Sequence, residues 1–278
     1  MIKAPMPSYR NPPVEEVALA VYFSPLLQIG AVQYGRLYEM WSENYPRSED
    51  QPLLPPIPPD KLTRYLMPSI QFSTVSPGVR VWYLSKDGDR VIQIQRDRLI
   101  LNWRRINDEQ NYPSYNTLRP MFEEIIGQFL QFLKNEGLDC PEITQAEVTY
   151  VNPIICAGLE QLGDPTTILS VCSNQQSEDL FPHPEGVNMS LRYQIKDPEK
   201  KLSIGSLYVE AVSPVLYQRA GQSESQEIFM LKLFARGRPL DPGLEGALNF
   251  LDIAHDWVVR GFTSITSPQM HQLWEREE

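Results

Sequence analysis

The side chains best suited to chemistry in this 278-residue chain are gathered in one stretch, Val91 to Arg105. Gln93 and Gln95, then Arg98, Asn102 and Arg104, fall at the alternate positions that share one face of a β-hairpin broken at Arg96-Asp97. Amides bring paired donors and acceptors, and a guanidinium forks onto a carboxylate or phosphate through two parallel hydrogen bonds. The face could therefore clamp an anionic ligand, with Trp103, Trp82 or Tyr83 at its margin. The bland alternative is that these residues face water, as antiparallel sheets allow on one side. Planar amides and Arg at period two are unusual for a merely solvated strand, which keeps the ligand- or partner-binding assignment of Gln93, Gln95, Arg98, Asn102, Arg104 and Trp103 in play.

Other chemistry is sparse. His255 has Asp252 one turn earlier and Asp256 beside it, so a carboxylate could orient the ring for acid–base work. The helical count, however, puts His255 on the apolar stripe and both Asp residues on the polar one, which predicts a packed ring with a single backbone or water partner. The remaining His residues, 183 and 271, form no His-x-His or His-x-x-x-His pair, so no metal site is expected. Cys140, Cys156 and Cys172 are odd in number and far apart, and no Cys-x-x-Cys exists. Neither a disulfide framework nor a Cys zinc site follows, and Cys156 and Cys172 read as buried small hydrophobes. The acid pairs Glu15-Glu16 and Glu123-Glu124 point apart on a strand or a helix, so they predict solvated faces rather than a carboxylate dyad. No Gly-x-Gly-x-x-Gly, P-loop or Gly-x-Ser-x-Gly occurs, no nucleophile stands out, and no cofactor is implied.

Composition narrows the classes. The apolar fraction of 42% and charged fraction of 22% are those of an ordinary globular protein. A net charge of −10 disfavours a phosphate-binding surface over the whole molecule, so nucleic-acid binding along a local Arg groove is the least favoured reading. No apolar run approaches a membrane span, and MIKAPMPSYRNPP has no apolar core of a signal peptide. The expected compartment is the cytoplasm.

Positioning the hairpin requires a sheet, and the pattern supplies one. Alternation predicts a strand over Val14 to Phe23, followed by a helix over Leu26 to Trp41 and a Pro-rich connector over Pro46 to Asp60. A meander of strands over Ser69 to Val75 and Val79 to Leu84 leads through Asp87-Gly88 into the hairpin. Leu118, Phe122, Ile125, Phe129 and Phe132 lie at helical spacing, which predicts a helix over Ser114 to Glu136 closed by Gly137. A second round follows. Strands are predicted at Gln145 to Ile155, Val187 to Ile195, Leu202 to Val212 and Glu227 to Ala235, with a short helix at Thr166 to Cys172. A long helix is capped by Asp241 with Pro242 at its first position, and a last helix starts at Ser267-Pro268. The expected fold class is α+β. Two similar halves, 1–141 and 142–278, would each be an antiparallel sheet with a long helix packed on it, in the order β-α-β-meander-α.

The hairpin also carries a resemblance. Asn11-Pro12-Pro13-Val14-x-Glu16 and Gln93-x-Gln95-x-Asp97-Arg98-x-x-x-Asn102-Trp103-Arg104 resemble the start and signature of a family of sporadically distributed bacterial proteins of unknown function. Tyr112-Pro113-x-Tyr115, Glu147-x-Thr149-Tyr150-x-Asn152 and Met270-His271-x-x-Trp274 are similar to it as well. The resemblance spans essentially the whole chain and names no activity. A sporadic distribution implies a phage-defence or toxin–antitoxin setting.

The leading expectation is a non-enzymatic binding protein that recognises a protein partner or small anionic ligand through its sheet and hairpin surface. Its acidity would suit a basic partner. The alternative is an enzyme acting on an anionic or nucleotide-like substrate, with Arg98, Asn102 and Arg104 as binders and Glu16 or Asp97 as base.

Overall fold

A computed structural model describes residues 5–56, 78–107, 110–155, 165–172, 186–219 and 223–277. The expected strand over Ser69 to Val75, Cys156 and the end of the Pro-rich connector lie outside them.

The chain begins with a two-residue strand β1 (Ser8–Tyr9) and then β2 (Glu16–Phe23), helix α1 (Ala31–Trp41) and β3 (Arg47–Gln51). β4 (Arg80–Leu84), β5 (Arg90–Gln95) and β6 (Arg98–Arg104) form the meander, and α2 (Tyr115–Asn135) follows. The second half holds β7 (Ile143–Ile155), a short α3 (Pro165–Ile168), β8 (Val187–Lys196), β9 (Ser203–Tyr217), β10 (Gln226–Gly237) and α4 (Gly243–Ile265). Helix α5 (Pro268–Leu273) and β11 (Arg276–Glu277) end it.

Where two large sheets were expected, the described residues form one, beside a two-stranded ribbon of β1 and β11. Nine strands run in the order β3-β4-β5-β6-β2-β7-β10-β9-β8, every neighbour antiparallel. The join is the β2–β7 ladder, in which Val17 faces Tyr150 and Leu19 faces Val148. Two half-sheets with apolar first strands would each expose an edge, and pairing those strands removes both edges at once. The halves also differ in their parts: α1 has 11 residues and α3 only four, while β9 and β10 run to 15 and 12 against six and seven for β5 and β6. A duplication is not evident in this architecture. The Pro-rich connector is also more ordered than expected, because Arg47–Gln51 pairs with β4 as an edge strand. Its sequence, RSEDQ, carries charges suited to a sheet edge.

Period-two alternation sends Val17, Leu19, Val21 and Phe23 of β2, Leu99, Leu101 and Trp103 of β6, and Leu231, Leu233 and Ala235 of β10 into one buried cluster. Every described helix adds its buried residues to that same cluster. Phe129 of α2 stacks on Phe23 at 5.8 Å. α4 packs on β7, β10 and β9. The described helices thus share one side of the sheet. Among the described residues, the other side carries a small buried apolar group, Ala20, Tyr22 and Ile100, with Ala18 and Leu54 against it. Gly88 makes the turn into β5 possible with φ near +78°, a conformation that costs Gly nothing. The long second helix starts one residue later than expected, with Pro242 at the cap position and no side-chain hydrogen bond there.

Candidate functional site

The hairpin forms as the pattern predicts, and Gln93, Gln95, Arg98, Asn102 and Arg104 share the helix-free face. Trp103 does not. Its odd-numbered neighbours Leu99 and Leu101 are core residues, and period two carries Trp103 with them to 2% exposure, edge-on against Tyr112 at 5.6 Å.

Half of the polar face is spent on the fold itself. Gln95 donates through Nε2 to Asp97 Oδ1 at 2.7 Å and accepts at Oε1 from the Leu54 amide at 3.1 Å. Arg98, only 3% exposed, forks onto both oxygens of Asp97 at 2.9 Å and donates to the Pro55 carbonyl at 2.9 Å. Burial opposes charge on Asp97, but the hydrogen bonds from Arg98 and Gln95 outweigh it and hold the carboxyl below the usual range. This end clasps the segment after β3 instead of offering a clamp to a ligand. Arg98 was expected to bind an anion, and it does, with the anion supplied by the residue just before it.

The other end is different. Arg80 and Arg104 lie over the ring of Trp82, with guanidinium carbons 5.3 and 5.8 Å from its centroid. Gln93 Oε1 accepts from Arg80 Nη1 at 2.9 Å and from the Trp82 indole at 3.0 Å, which fixes both. Arg104 donates through Nε to the Gly88 carbonyl at 2.9 Å. Among the described residues neither guanidinium has a carboxylate within ion-pair distance, and Arg80 Nε and Asn102 Oδ1 are buried without a partner. Burial, then repulsion from Arg98, pulls down the Arg80 pKa. The Glu16 carboxyl nearby is pushed up chiefly by burial, against the pull of Asn102 and Arg104. Cation–π contacts continue across the same face, from Arg98 over Tyr22 to Arg236 and Lys232 over Phe234 and Arg192 over Tyr208.

The acid pair at the start of β2 is not the solvated face expected of it. Glu15 is 5% exposed and accepts from Arg219 at 2.6 Å, with Arg105 3.8 Å away.

On the helix side, a cavity of about 430 Å³ lies between the arm before β2, the first turn of α2, β7 and α4. His255 lines it, packed as expected, but its single hydrogen-bond partner among the described residues is a tyrosine hydroxyl in place of a backbone group or water. The ring stacks on Tyr115, and its Nδ1 is 3.1 Å from the Tyr150 hydroxyl, which meets the Tyr112 hydroxyl at 2.7 Å. Burial lowers the His255 pKa to about 4, against the pull of Asp256 and Asp252, so the ring is neutral at pH 7. Tyr112, Tyr115, Tyr150 and Asn152 come from two motifs noted above, yet nothing in their spacing shows that they meet one another across 35 residues of helix and turn.

No family model matches the chain, and no curated protein matches it. No described helix is long and apolar enough to cross a membrane.

Proposed function

We propose that the chain is a non-enzymatic binding protein that takes an anionic partner on the helix-free face of its sheet. One observation carries this: Arg80 and Arg104 both lie over the Trp82 ring, and neither has a carboxylate within ion-pair distance among the described residues. In a protein of net charge −10, acidic side chains outnumber basic ones and counter-ions for two adjacent guanidiniums are easy to supply. Burial and repulsion from Arg98 both work against the charge on Arg80, and a bound carboxylate or phosphate would offset them. The indole beside both guanidiniums favours a ligand with a flat body beside its charge. The preference is for an anionic partner and not the basic one that bulk acidity suggests, because the local face and the whole-chain charge have opposite signs.

Calorimetric titration with pyrophosphate and with hexaglutamate tests the proposal, in wild type and in an Arg80→Gln, Arg104→Gln variant. At least one anion should bind at low salt and weaken as salt rises. The double variant should lose tenfold or more. Failure of both anions to bind, or equal binding to the variant, removes the proposal.

A further inference from the structure

We propose that the cavity on the helix side is a second binding site, for a small neutral molecule with an apolar body and a single oxygen-bearing head. Its volume, about 430 Å³, falls in the range of small-molecule sites. At about 30 Å³ for each water-sized group, it has room for on the order of a dozen non-hydrogen atoms.

The walls specify the ligand's chemistry. Among the described residues, no Asp, Glu, Lys or Arg lines the cavity. Val258, Phe262, Leu233, Val14 and the stacked Tyr115 and His255 rings supply apolar surface. An ion entering here would lose its hydration without gaining a counter-charge, which costs far more than the apolar contacts return. Ser8, Ser114, Asn116 and Asn152 also line it, and the polar group that spans three segments is the chain of Tyr112 Oη, Tyr150 Oη and His255 Nδ1. It holds two hydroxyl protons and one imidazole proton for two internal links, so one proton is left over. With Nδ1 accepting, the spare donor is Nε2–H of His255; with Nδ1 donating, it is the Tyr112 hydroxyl. His255 Nε2 hydrogen-bonds no described residue. One hydroxyl or carbonyl oxygen on the ligand can therefore be met by either arrangement, at the cost of a tautomer change. This ligand class is the opposite of the anionic one assigned to the sheet face, so the two sites do not stand or fall together.

The probes are 4-propylphenol and 4-propylbenzoate at pH 7, which share a body and differ in head charge. Methyl NMR of Val258, Val259 and Leu233 reports occupancy. The phenol should shift these signals saturably and bind at least tenfold more tightly than the benzoate. Val259→Trp should fill the space and abolish the shifts. Should that variant not fold, Asn116→Trp obstructs the cavity from an exposed position on its rim and should weaken the phenol by tenfold or more. His255→Phe, which keeps the stack and removes both ring nitrogens, should weaken the phenol about fivefold. No saturable shift in the wild type, equal binding of the benzoate, or unchanged binding in a folded filling variant would each overturn the site.

Discussion

His255 and Tyr115 lie face to face, ring centroids 3.9 Å apart and planes 5° from parallel, although one comes from the middle of α4 and the other from the first residue of α2. Tyr115 also donates to Asp252, which takes a carboxylate otherwise one turn from the imidazole and turns it toward Arg119 as well, 3.3 Å away. The ring is left half-buried, neutral and hydrogen-bonded to a tyrosine in place of an acid.

That arrangement makes stability depend on pH with a definite sign. Burial, the largest cause, depresses the folded-state pKa of His255 to about 4, below the roughly 6.5 of an unfolded His. Between those values the unfolded chain binds the proton and the folded one does not, so stability falls as pH falls from about 6.5 to about 4. The neutral ring's contribution is fully present above 6.5. A shift of this size is worth on the order of 3 kcal/mol. Urea unfolding at pH 4.5 and 7 should show a smaller difference for His255→Gln than for wild type. Parallel pH profiles would rule out the ring as the source.

Arg98 and Arg104 sit on one strand face six residues apart, and their replacement should separate two kinds of effect. Arg98→Ala removes a nearly buried guanidinium that neutralises Asp97 and holds the Pro55 carbonyl. Asp97 stays partly solvated, so the loss should be about 2–3 kcal/mol, below the roughly 3–5 kcal/mol for breaking a fully buried pair. Arg104→Ala leaves no carboxylate unpaired and should cost under about 1 kcal/mol. Denaturant midpoints decide it. If Arg98→Ala is as stable as Arg104→Ala, the clasp on residues 54–55 contributes little and Arg98 returns as a ligand-binding candidate.

The contrast also shows how much could be read before the fold was known. Strand and helix positions follow from local periodicity, and β2, β5, β6, α2 and α4 lie close to where spacing puts them. The faces of the hairpin were legible for the same reason, apart from Trp103, whose odd number already assigned it to the core. What periodicity does not carry is pairing between distant segments. β2 and β7 are each apolar and alternating, and nothing local distinguishes two separate sheets from one sheet joined through them. The engagement of Arg98 depends on Leu54 and Pro55, more than forty residues earlier in a connector read as plain loop. The same holds for the cavity: Tyr112, Tyr150 and His255 form one hydrogen-bonded chain only because α4 crosses β7.

A buried ion pair gives a third expectation. Glu15 and Arg219, both under 10% exposed, meet at 2.6 Å from strands' ends 204 residues apart. Removing one charge from such a pair leaves the other desolvated, which costs about 3–5 kcal/mol. Glu15→Gln keeps the shape and one acceptor, so it should lose less than Glu15→Ala, and Arg219→Met should be partly compensated by adding Glu15→Gln. Thermal unfolding of the four proteins forms a double-mutant cycle. Simple additivity would mean that the two side chains do not stabilise one another.

The last expectation concerns the arm that walls the cavity. Glu275 has a left-handed backbone, φ near +53°, at the end of α5, where Gly is the usual occupant. Its carboxylate accepts from Asn11 at 2.8 Å and from Arg10 at 3.1 Å, and its carbonyl accepts the Arg10 amide, so one residue fastens the arm beside β1. Glu275→Gly therefore changes two quantities with opposite signs. Relief of the backbone is worth about 1 kcal/mol, and loss of an exposed ion pair costs about 0.2–1 kcal/mol. Global stability should hardly move, while the Arg10 and Asn11 amides should exchange with solvent about two- to fivefold faster. Glu275→Ala keeps the backbone cost and loses the clasp, so it should speed the same amides and also lower the midpoint. Hydrogen exchange resolved at those two amides is the measurement, and unchanged protection in Glu275→Gly would show that the β1–β11 pairing alone holds the arm in place.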